Sequence, residues 1–374
     1  MTNNLLASFS EITAYAGYIL LAILVLLVMI TVHELGHYIA GKIFKFGITE
    51  FAIGFGPKIF SKQLKSGEQF SIRIFPIGGF CAFSGEDEVG DNPTDFNNKK
   101  PWQRIIVLIS GALMNYILAV LLIALMFGVY GQASLMTGKV DVNPQYVSEY
   151  SFCDRDVILS ADGKNVYMLT DLMNATENKK QGDLVDFTVI RQGKVQHVQV
   201  KLRSDTFYNN VEDVGKLYDA LGVYYKIDEQ SGEMLDTGMY STGVKLGFFR
   251  TLARSFDYSF KIAGMVFTVL GELITGTLGL KSVGGTITTL SVTAEAIKIG
   301  GFRYLLNVAS LIGVNLAVFN LLPFPALDGS RTVFTLIEWI RGKPVNRKVE
   351  GLIHTVGLIL LLCFAVFVDL QQCF

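Results

Sequence analysis

Basic charge is not in surplus: 32 Lys and Arg stand against 33 Asp and Glu, for a net charge of −1. Without a positive field the chain lacks the electrostatic footprint of a nucleic-acid partner. Cysteine is scarce and scattered. Cys81, Cys153, Cys363 and Cys373 form no CxxC pair, which argues against a disulfide framework and against a cysteine-built metal site. Charged residues are only 17% of the chain, whereas 51% is hydrophobic, and mean hydropathy is +0.41. A soluble domain seldom combines these values.

The apolar residues are gathered in blocks long enough to cross a bilayer, which takes ~20 residues per helix. The blocks run from Tyr15 to Val32, Ile105 to Tyr130, Leu305 to Leu322 and Leu352 to Val368. The first is not preceded by Lys or Arg, and HELGH stands where a cleavage site would be, so it reads as a retained membrane helix rather than a signal peptide. A weaker candidate, Tyr258 to Thr275, carries Lys261 and Glu272. Its apolar residues follow helical spacing, which suits a helix lying on the membrane surface. The predicted fold class is therefore a polytopic α-helical membrane protein with four transmembrane helices.

Short-loop charge predicts orientation. Lys42, Lys45, Lys58, Lys62, Lys65, Arg73, Lys99, Lys100 and Arg104 follow the first helix; Arg331, Arg341, Lys343, Arg347 and Lys348 lie between the third and fourth. Both loops read as cytoplasmic and both termini as extracytoplasmic, a parity that four spans satisfy. The segment from about Ser134 to Ser241 then lies outside and reads as a small α/β domain. Strands are expected at Val157 to Ser160, Leu184 to Ile190 and Val195 to Leu202, with a helix at Leu169 to Thr176. Turns are expected at Asp162-Gly163, Gly182-Asp183 and Gln192-Gly193. Asp205 to Tyr240 reads as an irregular extension, and Asp154 and Asp156 as solvated turn residues.

HELGH, His33 to His37, ends the first apolar helix. Histidines at i and i+4 share a helix face and can grip one zinc ion. Zinc lowers the pKa of a water it holds, and Glu34 can take that water's proton. Two His and a Glu at the end of a membrane helix are costly unless paired, metal-bound or facing water. A catalytic zinc usually has a third protein ligand. His197 is in the outside domain; His354, at the start of the fourth helix, remains an alternative on depth. The better candidate is Asp328 in NLLPFPALDG, Asn320 to Gly329, at the cytoplasmic end of the third helix. Pro323 and Pro325 break the helix there, and freed backbone near a membrane interior is tolerated beside protein or water.

HELGH in the first helix with NLLPFPALDG in the third resembles the bacterial site-2 protease family of intramembrane zinc metalloproteases. The resemblance covers most of the chain. It implies Zn²⁺ held by His33, His37 and Asp328, Glu34 as catalytic base, and substrate handling by Asn315, Asn320, Pro323 and Pro325. It implies a location in the bacterial cytoplasmic membrane and single-span membrane protein substrates, such as an anti-sigma factor or a remnant signal peptide. An upstream site-1-type protease would first trim these substrates on the outside. Glu50 to Phe60 and Phe75 to Phe80 resemble the family's cytoplasmic membrane-associated β-sheet, with Gly54, Gly56, Gly67, Gly78 and Gly79 at turns; either its edge pairs with an unwound substrate or the sheet only seals the site. SGALMN, Ser110 to Asn115, resembles a stretch of the second helix, with Ala112 where Pro is usual; Asn115 either faces the site or belongs to a small-residue packing patch. The outside domain resembles a PDZ module, although Ser151 to Asp156 replaces the expected Gly-rich turn, so a passive size filter is favoured over peptide capture.

The expected order is residues 1–46, first transmembrane helix with HELGH; 47–100, cytoplasmic membrane-associated β-sheet loop; 101–131, second transmembrane helix; and 132–243, extracytoplasmic PDZ-like domain with its extension. It continues with 244–300, interfacial amphipathic helices; 301–329, third transmembrane helix with LDG; 330–350, cytoplasmic loop; and 351–374, fourth transmembrane helix and tail. Rival readings are a non-catalytic zinc-bound membrane scaffold binding clients through the PDZ-like domain, which would not need Glu34, and a metal transporter, which would spread polar residues over several depths.

Overall fold

In the computed structural model residues 2–86, 92–140, 150–208, 213–227, 234–236, 238–277 and 284–373 are described. The chain divides into two compact units, Met1–Ala124 with Tyr258–Phe374, and Leu125–Asp257.

The elements leading into the first unit are α1 (Thr2–Ile43), a pair of strands β1 (Ile48–Gln63) and β2 (Gln69–Phe83), a 3-10 turn at Phe96–Asn98, and α2 (Pro101–Tyr130). Pro101 occupies the first turn of α2, where its missing N–H has no helical partner to lose. β1 and β2 pair antiparallel with repeated bulges, Gln63 opposite Gln69 at the hairpin end and Phe51 opposite Cys81 further in. Of the five expected turn glycines only Gly67 lies in the turn between the strands, whereas Gly54 and Gly56 fall within β1 and Gly78 and Gly79 within β2; Gly54, Gly56, Gly67 and Gly78 have positive φ. Gly79 does not. A Cβ there would stand 3.0 Å from the Ala52 carbonyl oxygen and 3.4 Å from Glu34 Cγ, so closeness of the strand to α1 is what glycine permits there. Phe46, Phe83, Phe96, Val107, Leu108 and Ala40 bury together beneath the sheet, tying the ends of α1, β2 and the start of α2 into one apolar cluster.

α1 and α2 approach through glycine. A Cβ on Gly36 would meet the Ser110 carbonyl oxygen at 2.3 Å, so the backbones touch as in small-residue membrane interfaces. Deeper in the bundle Val25, Met29 and Ala309 pack with Leu118, Leu122 and Ile312. Ala309 and Ile312 belong to α6 (Thr286–Leu321), which carries a break at Gly301 (φ 58, ψ −144). The stretch after the break is about 30 Å long at 1.5 Å per residue. α7 (Asp328–Arg341) follows the proline-containing turn and stops at Gly342 in the left-handed conformation, a common helix C-terminus. α8 (Arg347–Cys373) leaves Leu352, Leu358, Leu360, Leu362 and Val366 exposed.

Among the described residues five helices are long and apolar enough to cross a membrane: Thr13–Ile43, Pro101–Tyr130, Phe248–Thr275, Thr288–Leu321 and Arg347–Gln371. The sequence led to an expectation of four. The additional one, α5 (Phe248–Thr275), is the segment read as interfacial; the structure extends it ten residues upstream of Tyr258 as one continuous helix of 28 residues, and that added length brings it to span size.

The second unit is built on a sheet ordered β10-β3-β4-β6-β7, with β5 beside β4. Its strands are β3 (Gln132–Thr137), β4 (Val157–Ala161), β5 (Lys164–Asn165), β6 (Leu184–Arg191), β7 (Lys194–Lys201) and β10 (Met239–Val244). A small separate pair, β8 (Lys226–Ile227) and β9 (Met234–Asp236), completes the strands described. The Asp162-Gly163 and Gln192-Gly193 turns both have positive φ at both residues, the backbone that matches hairpin twist. α3 (Leu169–Thr176) begins where Asp171 Oδ2 accepts the Tyr167 and Met168 backbone N–H groups.

Two expectations are corrected. The extension after Asp205 is not uniformly irregular: α4 (Val214–Leu221) lies within it and buries Leu217, Tyr218, Ala220 and Leu221 in the core with Ile158, Val185 and Phe187. Eight residues are too few for a helical period to stand out. Residues 209–212, 228–233 and 237 of that extension lie outside the described residues. Asp156 is not solvated but fully buried. It takes two bonds from Arg191, at 2.9 and 2.7 Å, and the Cys153 N–H at 2.7 Å. Asp154 is exposed as expected and accepts the Val140 N–H.

Candidate active site

His33 and His37 stand one turn apart on the same face of α1, their rings edge to face with centroids 4.7 Å apart. Both are buried. His37 Nδ1 is 2.8 Å from the Val107 carbonyl oxygen. A carbonyl only accepts, so Nδ1 carries the proton and Nε2 is left as a lone-pair donor, the usual arrangement behind a metal-binding imidazole. α2 thus fixes the orientation of a ligand on α1.

Asp328 comes from the far end of the chain. α6 ends at Leu321, Pro323 and Pro325 prevent its continuation, and Ala326 takes a positive φ of 73° in the turn. Asp328 then opens α7, where a carboxylate suits the helix N-terminus. Gly329 follows because nothing larger fits: a Cβ there would stand 2.2 Å from the Leu322 carbonyl oxygen. This close packing of α7 on the end of α6 brings Asp328 Oδ2 to 2.9 Å from His33 Nε2 and 3.2 Å from His37 Nε2. The two Nε2 atoms are 3.1 Å apart.

These three atoms are placed so that they could hold one metal ion. Zinc ligands about 2.0–2.1 Å from a tetrahedral ion lie about 3.3 Å from one another, close to the separations found. Two imidazole nitrogens and one carboxylate oxygen also make a ligand set suited to zinc. Burial pushes the Asp328 carboxyl up, but hydrogen bonds and charge from His33 and His37 outweigh it and hold it well below the usual carboxylate range. It therefore presents an anionic oxygen. Among the described residues His33, His37 and Asp328 are the group placed to hold a metal. His354, the alternative ligand, is turned to other work: its Nδ1 accepts the Ala326 N–H at 3.0 Å.

Glu34 shares a cavity of about 440 Å³ with His37 and Asp328. Its carboxylate lies within reach of the Cys81 backbone, and Phe80 to Phe83 of β2 line the same cavity. Arg331, Glu86 and Ala326 also line this cavity. Arg331 is ion-paired with Glu86, joining α7 to the segment after β2. Asn315, Asn320, Pro323 and Pro325 do not contribute to the cavity lining. Asn315 and Asn320 lie on α6, and Pro325 packs against α8 at Gly357. Asn115 is fully buried, and among the described residues neither of its side-chain polar atoms has a hydrogen-bond partner.

Sequence reasoning missed Gly111, Arg331 and Glu86. A Cβ on Gly111 would stand 2.4 Å from His37 Nε2 and 2.8 Å from His33 Cε1. Its place four residues before Asn115 in SGALMN was the available signal. Arg331 lies one helical turn after Asp328, on the face that Asp328 occupies.

A family model described as Peptidase family M50 matches residues 21–364. A protein of Fusobacterium nucleatum subsp. nucleatum named "Putative zinc metalloprotease" is 32% identical over 363 residues, covering 94% of this chain and 97% of its own length. Proteins carrying the same description from Clostridium perfringens and Clostridium acetobutylicum are 31% and 30% identical, over 95% of this chain in each case and 98% and 96% of their own lengths.

Proposed function

This chain belongs to peptidase family M50 and is a membrane-embedded zinc metalloprotease, and we propose that it hydrolyses peptide bonds within the membrane-spanning segments of other membrane proteins. The observation that carries the proposal is the position of the site. His33, Glu34 and His37 occupy the last third of an apolar helix long enough to span a membrane, and Asp328 joins them beside a polar cavity.

In this reading His33 Nε2, His37 Nε2 and Asp328 Oδ2 hold zinc. The ion, when bound, acidifies a water and polarises the scissile carbonyl. Glu34, facing the same cavity, accepts the water's proton on its carboxylate and later delivers it to the leaving amide nitrogen. The Val107 carbonyl keeps the His37 ring in its ligating tautomer. β2, passing beside Glu34 at Gly79–Cys81, offers a strand against which an opened substrate helix can extend. Asn320 and Asn315, with Pro323 and Pro325 shaping the turn before Asp328, handle the substrate.

The substrates are single-span segments, of anti-sigma-factor or remnant-signal-peptide type, already shortened outside by a site-1-type protease. α1, α2, α6 and α8 are the four spans. α5, with Lys261 and Glu272 along it, lies at the membrane surface, which keeps both basic loops on the cytoplasmic side and both termini outside a bacterial cytoplasmic membrane. The PDZ-like domain, residues 132–243, acts as a size filter.

The test is cleavage of a pre-trimmed single-span substrate by wild type and by Glu34→Gln in detergent, with zinc content measured on both. The expected result is a cut inside the span by wild type, a loss of at least ~100-fold in the variant, and zinc retained by both. Removing zinc with a chelator should abolish cleavage, and returning it should restore cleavage. A folded, zinc-loaded wild type that leaves several such substrates intact would favour a zinc-bound scaffold instead.

A further inference from the structure

The ligand loop from Pro325 to Asp328 contains no regular hydrogen-bonded structure of its own beyond a turn, the Leu327 N–H bonding the Phe324 carbonyl at 3.2 Å. Ala326 within it holds a positive φ of 73° without being glycine. A non-glycine residue in that region is strained and persists only where its surroundings fix it. The fixing contacts come from α8. His354 Nδ1 accepts the Ala326 N–H at 3.0 Å, and the Ser330 hydroxyl, donated to the Leu327 carbonyl at 2.8 Å, lies 3.4 Å from the same nitrogen. One turn further along α8, Gly357 receives Pro325: a Cβ on Gly357 would stand 2.1 Å from Pro325 Cβ. The Phe334 ring packs edge-on to the His354 ring, centroids 5.7 Å apart, which holds the imidazole from the α7 side.

We propose that His354 is a positioning residue for the metal centre, acting through the Ala326 N–H to hold the turn that aims Asp328 at His33 and His37. The inference rests on the reading of Asp328 as a zinc ligand. His354 does not touch the metal ligands' donor atoms. It accepts one backbone proton two residues before Asp328, and it is required to be unprotonated at Nδ1 to do so. Gly357 supports the same turn by leaving room for Pro325. α8 thereby serves the zinc site as well as the membrane, a role nothing in its composition announces.

The experiment measures zinc affinity of the full chain in detergent by competition with a chelator, for wild type, Asp328→Asn, His354→Leu, His354→Asn and Gly357→Ala, each checked for folding by its melting temperature. Asparagine places an acceptor oxygen near the position of Nδ1, and leucine does not. Zinc affinity should fall about 10–100-fold in His354→Leu, stay near wild type in His354→Asn, and fall in Gly357→Ala. In zinc-saturated enzyme KM should be unchanged, since His354 does not line the cavity that holds Glu34. Wild-type affinity in both His354→Leu and Gly357→Ala, with Asp328→Asn impaired, would overturn the inference and leave the ligand assignment standing. So would equal loss in folded His354→Asn and His354→Leu. Wild-type affinity in Asp328→Asn would overturn the ligand assignment itself, and this inference with it.

Discussion

Gly111 lies directly against His37: a Cβ added to it would stand 2.4 Å from Nε2, the proposed zinc-binding atom, and 2.7 Å from Cε1. A contact that short forces the imidazole or the helix to move, and neither has slack. His37 is pinned from behind by Val107 on the same helix, and Gly36 is already in contact with the Ser110 backbone. Gly111→Ala is expected to lower zinc affinity by at least ~10-fold, the scale on which disturbed support of a ligand is felt. It should also destabilise the chain by about 1–3 kcal/mol through overpacking. Gly128→Ala on the same helix, where a Cβ meets nothing within 4 Å among the described residues, should leave zinc binding unchanged. Metal content after dialysis against a weak chelator compares the two.

A second expectation concerns the charges behind the site. Arg104, 2% exposed, bonds Glu338 at 2.9 Å, and Glu338 also bonds Arg347 at 3.1 Å. One carboxylate on α7 therefore ties the start of α2 to the start of α8. Removing one member of a buried pair costs about 3–5 kcal/mol when it strands the other, and less where, as here, Glu338 keeps Arg347, whereas replacing both by apolar residues is often close to neutral. Arg104→Met should lower thermal stability markedly, and Arg104→Met with Glu338→Leu should recover part of the loss. Arg347 keeps Glu350 at 2.8 Å in the double variant, which limits the new imbalance. Melting in detergent, read as a double-mutant cycle, measures the coupling; a double variant less stable than the sum of the singles would exclude it.

In the second unit Asp156 is fully buried while Arg191 remains 23% exposed. The two substitutions should therefore differ. Arg191→Ala leaves a buried carboxylate with the Cys153 N–H but no countercharge, and should cost about 3 kcal/mol or more. Asp156→Ala leaves an arginine that can turn toward water and should cost less. Limited proteolysis of residues 125–257 within the whole protein would rank them, and the reverse order would contradict this account.

How much of this was legible in the sequence depends on how far each feature reaches. The pairing of His33 with His37 was legible because the two lie one helical turn apart, so the pattern is local. Asp328 was legible because charge, helix-breaking prolines and predicted depth all converge on one end of one helix. The Asp162-Gly163 and Gln192-Gly193 hairpins were legible because the backbone they need is encoded in the dipeptides themselves. Gly111, Arg331 and His354 were not, since their roles depend on which helices become neighbours. Asp156 was misread for the same reason: as a turn residue it looks solvated, and its partner Arg191 lies 35 positions away. The length of α5 was underestimated, since the helix begins at Phe248, ten residues before the block that starts at Tyr258.

The last expectation is a dependence of stability on pH centred on Glu68, at the turn of the β1–β2 hairpin. Its carboxylate is almost fully inaccessible and is bonded by Lys42 at 2.7 Å, Tyr38 at 2.7 Å and Ser66 at 2.9 Å. Burial pushes its pKa up from the ordinary 4.5, but the Lys42 and Tyr38 bonds, with its own backbone N–H and Ser66, reverse this and bring it to about 2. A group whose pKa is lower folded than unfolded stabilises the fold while it is ionised. That contribution is complete above about pH 4.5 and is lost as pH falls toward about 2. The full shift would correspond to about 3 kcal/mol, but Lys42 is 35% exposed and solvent screens the pair, so on the order of 1–2 kcal/mol is expected. Other carboxylates titrate in the same range, so the comparison must be with Glu68→Gln. The wild type should be the more stable at pH 7, and the gap should close as pH falls below 4.5. A gap in melting temperature that stays constant from pH 7 to pH 3 would mean that the Glu68 charge does not hold the hairpin to α1.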